Sequence, residues 1–148
     1  MKKLGKSSKK GFTLVELIVV LVILAVLAAM LVPALVGYID KAKAEKEYQT
    51  ASTVYSAAQA VITEAYGKGD LKDASGTLAK AGFTTTNTVT NGAAYGAETI
   101  TLAGVDSNAV TDYSFDFAGY IITGGTATIN GHVYTLTITG GSPSWSAS

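Results

Sequence analysis

From Phe12 to Gly37 the chain runs for 26 residues with a single charged side chain, Glu16. About 20 apolar residues cross a bilayer as a helix, and a helix is the single-segment structure that satisfies its own backbone in lipid. The run therefore predicts a membrane-length helix over residues 12–37. Beyond it the apolar positions thin to a stripe. Tyr48, Ala51, Tyr55, Ala58, Ile62 and Ala65 recur at spacings of three and four, which predicts an amphipathic helix over residues 38–66. Lys41 with Glu45 and Lys43 with Glu47 stand four apart and belong to the wetter side. Glycines in "YGKGD" (Tyr66–Asp70) supply the stop. The two halves predict one nearly continuous helix from Phe12 to Tyr66, about 80 Å long at a rise of 1.5 Å per residue.

After Gly69 the period changes. "DLKDASGTLAKAG" (Asp70–Gly82) predicts a short helix before a loop. "ETITLAG" (Glu98–Gly104), "YSFDFAGYIIT" (Tyr113–Thr123), "TATIN" (Thr126–Asn130) and "HVYTLTI" (His132–Ile138) alternate like strands. Asn130–Gly131 predicts a tight hairpin turn between the last two. Residues 140–148, "GGSPSWSAS", read as a flexible tail with Trp145 as its one side chain suited to docking. The expected fold class is α+β: a long N-terminal helix, hydrophobic then amphipathic, packed on a small antiparallel sheet formed within residues 67–139.

Charge adds an orientation. All eleven basic residues are lysine, and Lys2, Lys3, Lys6, Lys9 and Lys10 fall in the first ten positions. Lysines before an apolar helix keep that end in the cytoplasm and send the following chain outward. Without this leader six lysines face eleven acids, and no basic residue follows Lys80. Nucleic acid is therefore not an expected partner of the head, because phosphate binding relies on lysine and arginine. The chain contains no cysteine, which excludes disulfides, zinc ribbons and thiol nucleophiles.

The apolar run is too long for the core of a cleaved secretory signal, and its nearest small-residue cleavage match, Ala42–Lys43–Ala44, follows the charged Asp40 and Lys41. A plain signal anchor fits the length and leaves Glu16 unexplained. The string "GFTLVEL" (Gly11–Leu17), after a lysine-rich leader and before a long apolar run, resembles the type IV prepilin signature of pilins, competence pilins and secretion pseudopilins. The resemblance covers about the first forty residues. It implies removal of residues 1–11 by a prepilin peptidase cutting between Gly11 and Phe12. It also implies methylation of the new amine on Phe12, an assembly role for Glu16, and a helix kink at Pro33 with Gly37 nearby. Cleavage creates an ammonium four residues from Glu16, and an unpaired charge in low dielectric is costly. The resemblance implies a pair between Glu16 of one subunit and the Phe12 amine of its neighbour, with a contact inside one subunit as the alternative. Repeated head to tail, the intermolecular pair builds a helical homo-oligomer.

Other chemistry is sparse. His132 is the only histidine and falls in a predicted strand, and P-loop, G-x-S-x-G and H-E-x-x-H patterns are absent. Asp106, Asn108 and Asp112 are weak candidates as calcium ligands, with spacing unlike an EF-hand; a solvated polar loop is the better reading. No cofactor and no enzymatic activity are expected. The resemblance implies a structural subunit of a type IV pilus-like filament, a membrane precursor whose mature form lies outside the cell. Its partners would be copies of itself, the prepilin peptidase and the pilus assembly machinery. A pseudopilin or competence pilin is the near alternative, and a membrane-tethered binding domain the distant one.

Overall fold

The computed structural model describes residues 11–87 and 89–148, so the leader up to Lys10 lies outside the described residues. The elements run α1 (Leu14–Lys68), β1 (Ser75–Ala79), β2 (Gly82–Thr84), α2 (Gly92–Ala103), β3 (Val110–Ala118), β4 (Ile121–Ile129), β5 (His132–Thr139) and β6 (Ser142–Ala147). By its internal contacts the chain divides after Ala42 into two units.

In the first unit every residue from 11 to 42 is exposed, and from Leu14 onward all are helical. The apolar window of α1 has a mean hydropathy of 3.2 with none of it buried, and is long enough to cross a membrane. At Pro33 and Gly37, where a kink is expected, α1 continues as helix on both sides. One missing N–H removes a single rung from a long hydrogen-bond ladder, and apolar helices of this length tolerate that loss.

In the second unit the remainder of α1 packs on a six-stranded antiparallel sheet of order β2-β1-β3-β4-β5-β6. The helix buries mostly small side chains, Ala51, Ala57, Ala58 and Ala65 together with Val54, Val61 and Ile62. The bulk comes from the sheet, where Tyr113, Phe115 and Phe117 alternate inward from β3 and Asp112 and Asp116 point outward. Tyr48 and Tyr55 of the expected stripe are half-buried at its margin, against Tyr134 and Phe115. Register shifts at Thr111 and Thr123 turn the strands so that Val110 and Tyr113, and likewise Ile122 and Ala127, all face the core.

Four expectations are corrected here. Residues 70–82 form no helix but the β1–β2 hairpin, because Leu78 is drawn into the core and β1 pairs along its length with β3. Glu98–Gly104 is not a strand; it lies mostly in α2, whose buried Tyr95, Gly96, Thr99 and Ile100 form a helical face. The threonines that imitated strand alternation return their hydroxyls to the carbonyls four residues back, Thr99 to Tyr95 and Thr101 to Ala97. Tyr113–Thr123 is two strands, broken at Gly119–Tyr120. Residues 140–148 are not a tail: Ser142–Ala147 pair with β5, and Trp145 sets its ring edge-on to Phe115 at 6.3 Å.

Three successive hairpins turn on residue pairs that both have positive φ: Gly119–Tyr120, Asn130–Gly131 and Gly140–Gly141. Such two-residue turns match the right-handed twist of the strands they join. Ser148 donates its N–H to Val133, so even-numbered residues of β6 face β5 and odd-numbered ones face the open edge. Pro143 therefore puts its missing N–H on that edge, which weakens it as a template for strand addition.

Candidate functional site

Gly11, Phe12 and Thr13 precede the first turn of α1, and Phe12 is 83% exposed. Thr13 and Glu16 close that turn on each other. The Thr13 N–H donates to Glu16 Oε2 at 2.8 Å, and the Glu16 N–H donates to Thr13 Oγ1 at 3.2 Å. The Thr13 carbonyl accepts the first helical bond, from Leu17. This is a reciprocal capping box, which satisfies two backbone donors that a helix start otherwise leaves orphaned. The carboxylate also sits at the positive end of the helix dipole.

Glu16 thus has a partner within its own chain, one that the apolar pattern did not reveal. The signal was present as Thr13-Leu-Val-Glu16, the capping-box spacing ahead of an apolar run. Around the carboxylate, Phe12, Val15, Val19 and Val20 line a shallow groove of about 350 Å³. Gly11 stands in open space: a Cβ added there would meet no atom within 4 Å, and the same holds at Gly37. The chain's own packing therefore does not account for glycine at either position.

The other sequence candidates lie in the second unit. Asp106 Oδ1 accepts the Asn108 N–H at 2.9 Å, and Asp112 Oδ1 accepts the Tyr113 N–H at 2.8 Å. These bonds turn the loop and the start of β3, and the three side chains are not gathered round a common point by them. The ammonium of Lys80 donates to the carbonyls of Val110 at 2.6 Å and of Ser107 and Thr111 at 3.3 Å. The Lys80 ammonium thus occupies one main-chain oxygen of the loop, that of Ser107, and two at the start of β3. Among the described residues no group of three or more His, Asp or Glu has metal-binding geometry.

Sequence reasoning missed Glu47. Expected on the wet side beside Lys43, it is 8% exposed and faces the β4–β5 hairpin. Its Oε1 accepts from Asn130 Nδ2 at 3.0 Å, and its Oε2 accepts from the Tyr134 hydroxyl at 2.5 Å and lies 2.9 Å from His132 Nδ1. The Tyr134 hydrogen bond, aided by those of Asn130 and His132, holds its carboxyl below the usual range against the opposing effect of burial. Burial, reinforced by Glu47, pushes the Tyr134 phenol up to about 12. A signal did exist, since Glu47 falls four residues before Ala51 of the apolar stripe and seven before Val54, at helical spacing. Beside it, Lys43, Lys46, Val105, Ala109 and Ile129 help to line an open cleft of about 770 Å³. With both oxygens occupied, Glu47 fastens helix to hairpin.

The prokaryotic N-terminal methylation motif matches residues 6–32. No curated protein and no solved structure matches the chain. The matched span includes Gly11, exposed Phe12, capped Glu16 and the apolar start of α1, and these residues carry a type IV prepilin signature.

Proposed function

We propose that this protein is a structural subunit of a type IV pilus-like filament, made as a membrane-anchored prepilin. The observation that carries the reading is the methylation motif over residues 6–32, joined to a capped glutamate at the mouth of an exposed apolar helix. A prepilin peptidase cuts between Gly11 and Phe12 on the cytoplasmic side, and the open surroundings of Gly11 favour an external reason for glycine there. The Phe12 amine is then methylated. Residues 12–37 serve first as membrane anchor and afterwards as filament core, with residues 38–66 backing the head.

In this scheme Glu16 has two partners in succession. In the precursor the Thr13 N–H and the helix dipole tolerate its charge. In the filament it meets the Phe12 ammonium of a neighbouring subunit, a charge that exists only after cleavage. Pro33 and Gly37 form a joint at which the helix adapts as the subunit leaves the membrane. A catalytic role has no support in the arrangement of His132 and Glu47, whose contacts hold the fold together.

Intact-mass analysis of the surface form tests the scheme directly. A chain beginning at methylated Phe12 is expected; one beginning at Met1 or Glu45 defeats it. Glu16→Ala should insert in the membrane and fail to assemble. Filament length in electron micrographs separates an external pilus from a short secretion or DNA-uptake pseudopilus.

A further inference from the structure

No disulfide is available to tie α1 to the sheet, because the chain has no cysteine. At the last turns of α1 two tyrosines meet instead. The rings of Tyr66 and Tyr120 lie 4.2 Å apart between centroids, with their planes inclined at 33°. Tyr48 and Tyr134, the other tyrosine pair in ring contact among the described residues, lie 4.9 Å apart and edge-on. Tyr66 is 54% exposed and Tyr120 half-buried, so solvent reaches the pair.

Tyr120 is held in place at some cost. Its φ of 63° is unusual for a bulky side chain. Three bonds keep it there: its N–H donates to the Ala74 carbonyl at 3.1 Å, its carbonyl accepts from Gln59 Nε2 at 2.9 Å, and its phenol donates to the Lys72 carbonyl at 3.3 Å. Gln59 also accepts the Ile122 N–H at 2.8 Å, which clips the β3–β4 turn to α1 from both sides. The Tyr120 ring is thus preset against a ring carried on a helix, and a reaction between them needs no search for orientation.

We propose that Tyr66 and Tyr120 are a dityrosine cross-linking site, closed when the protein meets hydrogen peroxide and a haem peroxidase. Each phenol gives up one electron and one proton to become a phenoxyl radical. The two radicals join through ring carbons ortho to oxygen, forming one C–C bond, and the hydrogen on each joined carbon shifts to its oxygen to restore both phenols. The two electrons and two protons released reduce one peroxide to two waters. The product ties the end of α1 to the β3–β4 turn and closes a long loop of chain, as a disulfide would.

The remaining tyrosines of the head core are poorer candidates. Tyr95, Tyr113 and Tyr134 are buried, so a peroxidase does not reach their rings. Among the described residues the one aromatic ring that Tyr48 meets is that of the buried Tyr134, edge-on.

The test treats the full-length chain, monomeric in detergent, with hydrogen peroxide and a haem peroxidase. The expected product is a monomer lighter by two hydrogen atoms, with blue dityrosine fluorescence and a proteolytic fragment joining Tyr66 to Tyr120. It should melt at a higher temperature than the untreated chain. Tyr66→Phe and Tyr120→Phe should each abolish it, and Tyr48→Phe should retain it. Should Tyr120→Phe fold poorly by circular dichroism, Tyr66→Phe, at an exposed ring, decides. Dityrosine found only in dimers, a link between other tyrosines, or oxygen addition without a linked fragment overturns the proposal.

Discussion

The Glu47 carboxylate of α1 accepts the Tyr134 hydroxyl of β5 at 2.5 Å, and Asn130 and His132 complete its surroundings. Removing the carboxylate strands the buried Tyr134 phenol, while the exposed Asn130 can turn to water. We expect Glu47→Ala to destabilise the head by about 3 kcal/mol, the scale of a lost charged hydrogen bond plus a buried unsatisfied donor. Thermal melts of the detergent-solubilised chain measure this. A change near zero would mean that the hairpin docks without Glu47.

The same carboxylate makes stability depend on acid. Its folded pKa lies below the unfolded value of about 4.3. As pH falls through that window the unfolded chain takes up the proton first, so stability is fully present above the unfolded value and is lost as pH falls through the folded one. Melts between neutral pH and pH 3 should show this decline in the parent chain. In Glu47→Gln the decline should be shallower, because one titrating group is gone.

Alkali acts in the opposite sense on three tyrosines. Burial is the leading cause that pushes Tyr95, Tyr113 and Tyr134 up to about 12. Unfolded tyrosines lose their protons near pH 10. Between these values the folded chain holds protons that the unfolded chain has released, so stability falls as pH rises. Each such group contributes up to about 1.4 kcal/mol per pH unit. Tyr113→Phe should flatten the alkaline slope by one proton's share, measured by melts from pH 9 to pH 12.

Two glycine-to-alanine changes should have opposite signs. At Gly67, in the last turn of α1, an added Cβ meets nothing within 4 Å, so Gly67→Ala should stabilise by about 0.5–1 kcal/mol. At Gly96 in α2 the added Cβ would lie 2.3 Å from the Lys80 carbonyl oxygen and 2.7 Å from the Gly82 nitrogen. Those are backbone atoms of the β1–β2 turn and yield only if the turn moves. Gly96→Ala should therefore destabilise by about 2 kcal/mol or more despite its better helix propensity. Equal melting temperatures for the two variants would refute the close packing of α2 on that turn.

What the sequence made legible follows the length scale of each signal. The apolar run of α1, its amphipathic continuation and the Asn130–Gly131 hairpin rest on neighbouring residues, and each is present in the fold. The errors came where distant partners decide. Leu78 becomes strand because β3 lies beside it, and Ser142–Ala147 becomes strand because β5 offers an edge. "TITLAG" reads as β until the buried face of Tyr95, Gly96, Thr99 and Ile100 exposes its helical period. At the candidate site, Glu16 stood out as a lone charge, whereas its cap by Thr13 depends on where the helix starts. Glu47 was misjudged because an i,i+4 lysine offered a local explanation, and its true partners lie more than eighty residues away in sequence.

The Thr13–Glu16 box allows the cap and the charge of Glu16 to be tested separately. Glutamine serves in a capping box as glutamate does, but carries no charge. On the proposed filament role, Glu16→Gln should therefore keep the helix start and membrane insertion, and lose filament assembly, because the Phe12 ammonium would find no counter-charge. Thr13→Ala removes the hydroxyl cap at a cost of about 1 kcal/mol and leaves the charge in place. It should still yield filaments, with faster amide exchange in the first turn of α1. Sheared-filament yield, normalised to membrane-inserted precursor, reads both variants. Normal yield from Glu16→Gln would show that the cap, and not the ion pair, is what assembly requires of Glu16.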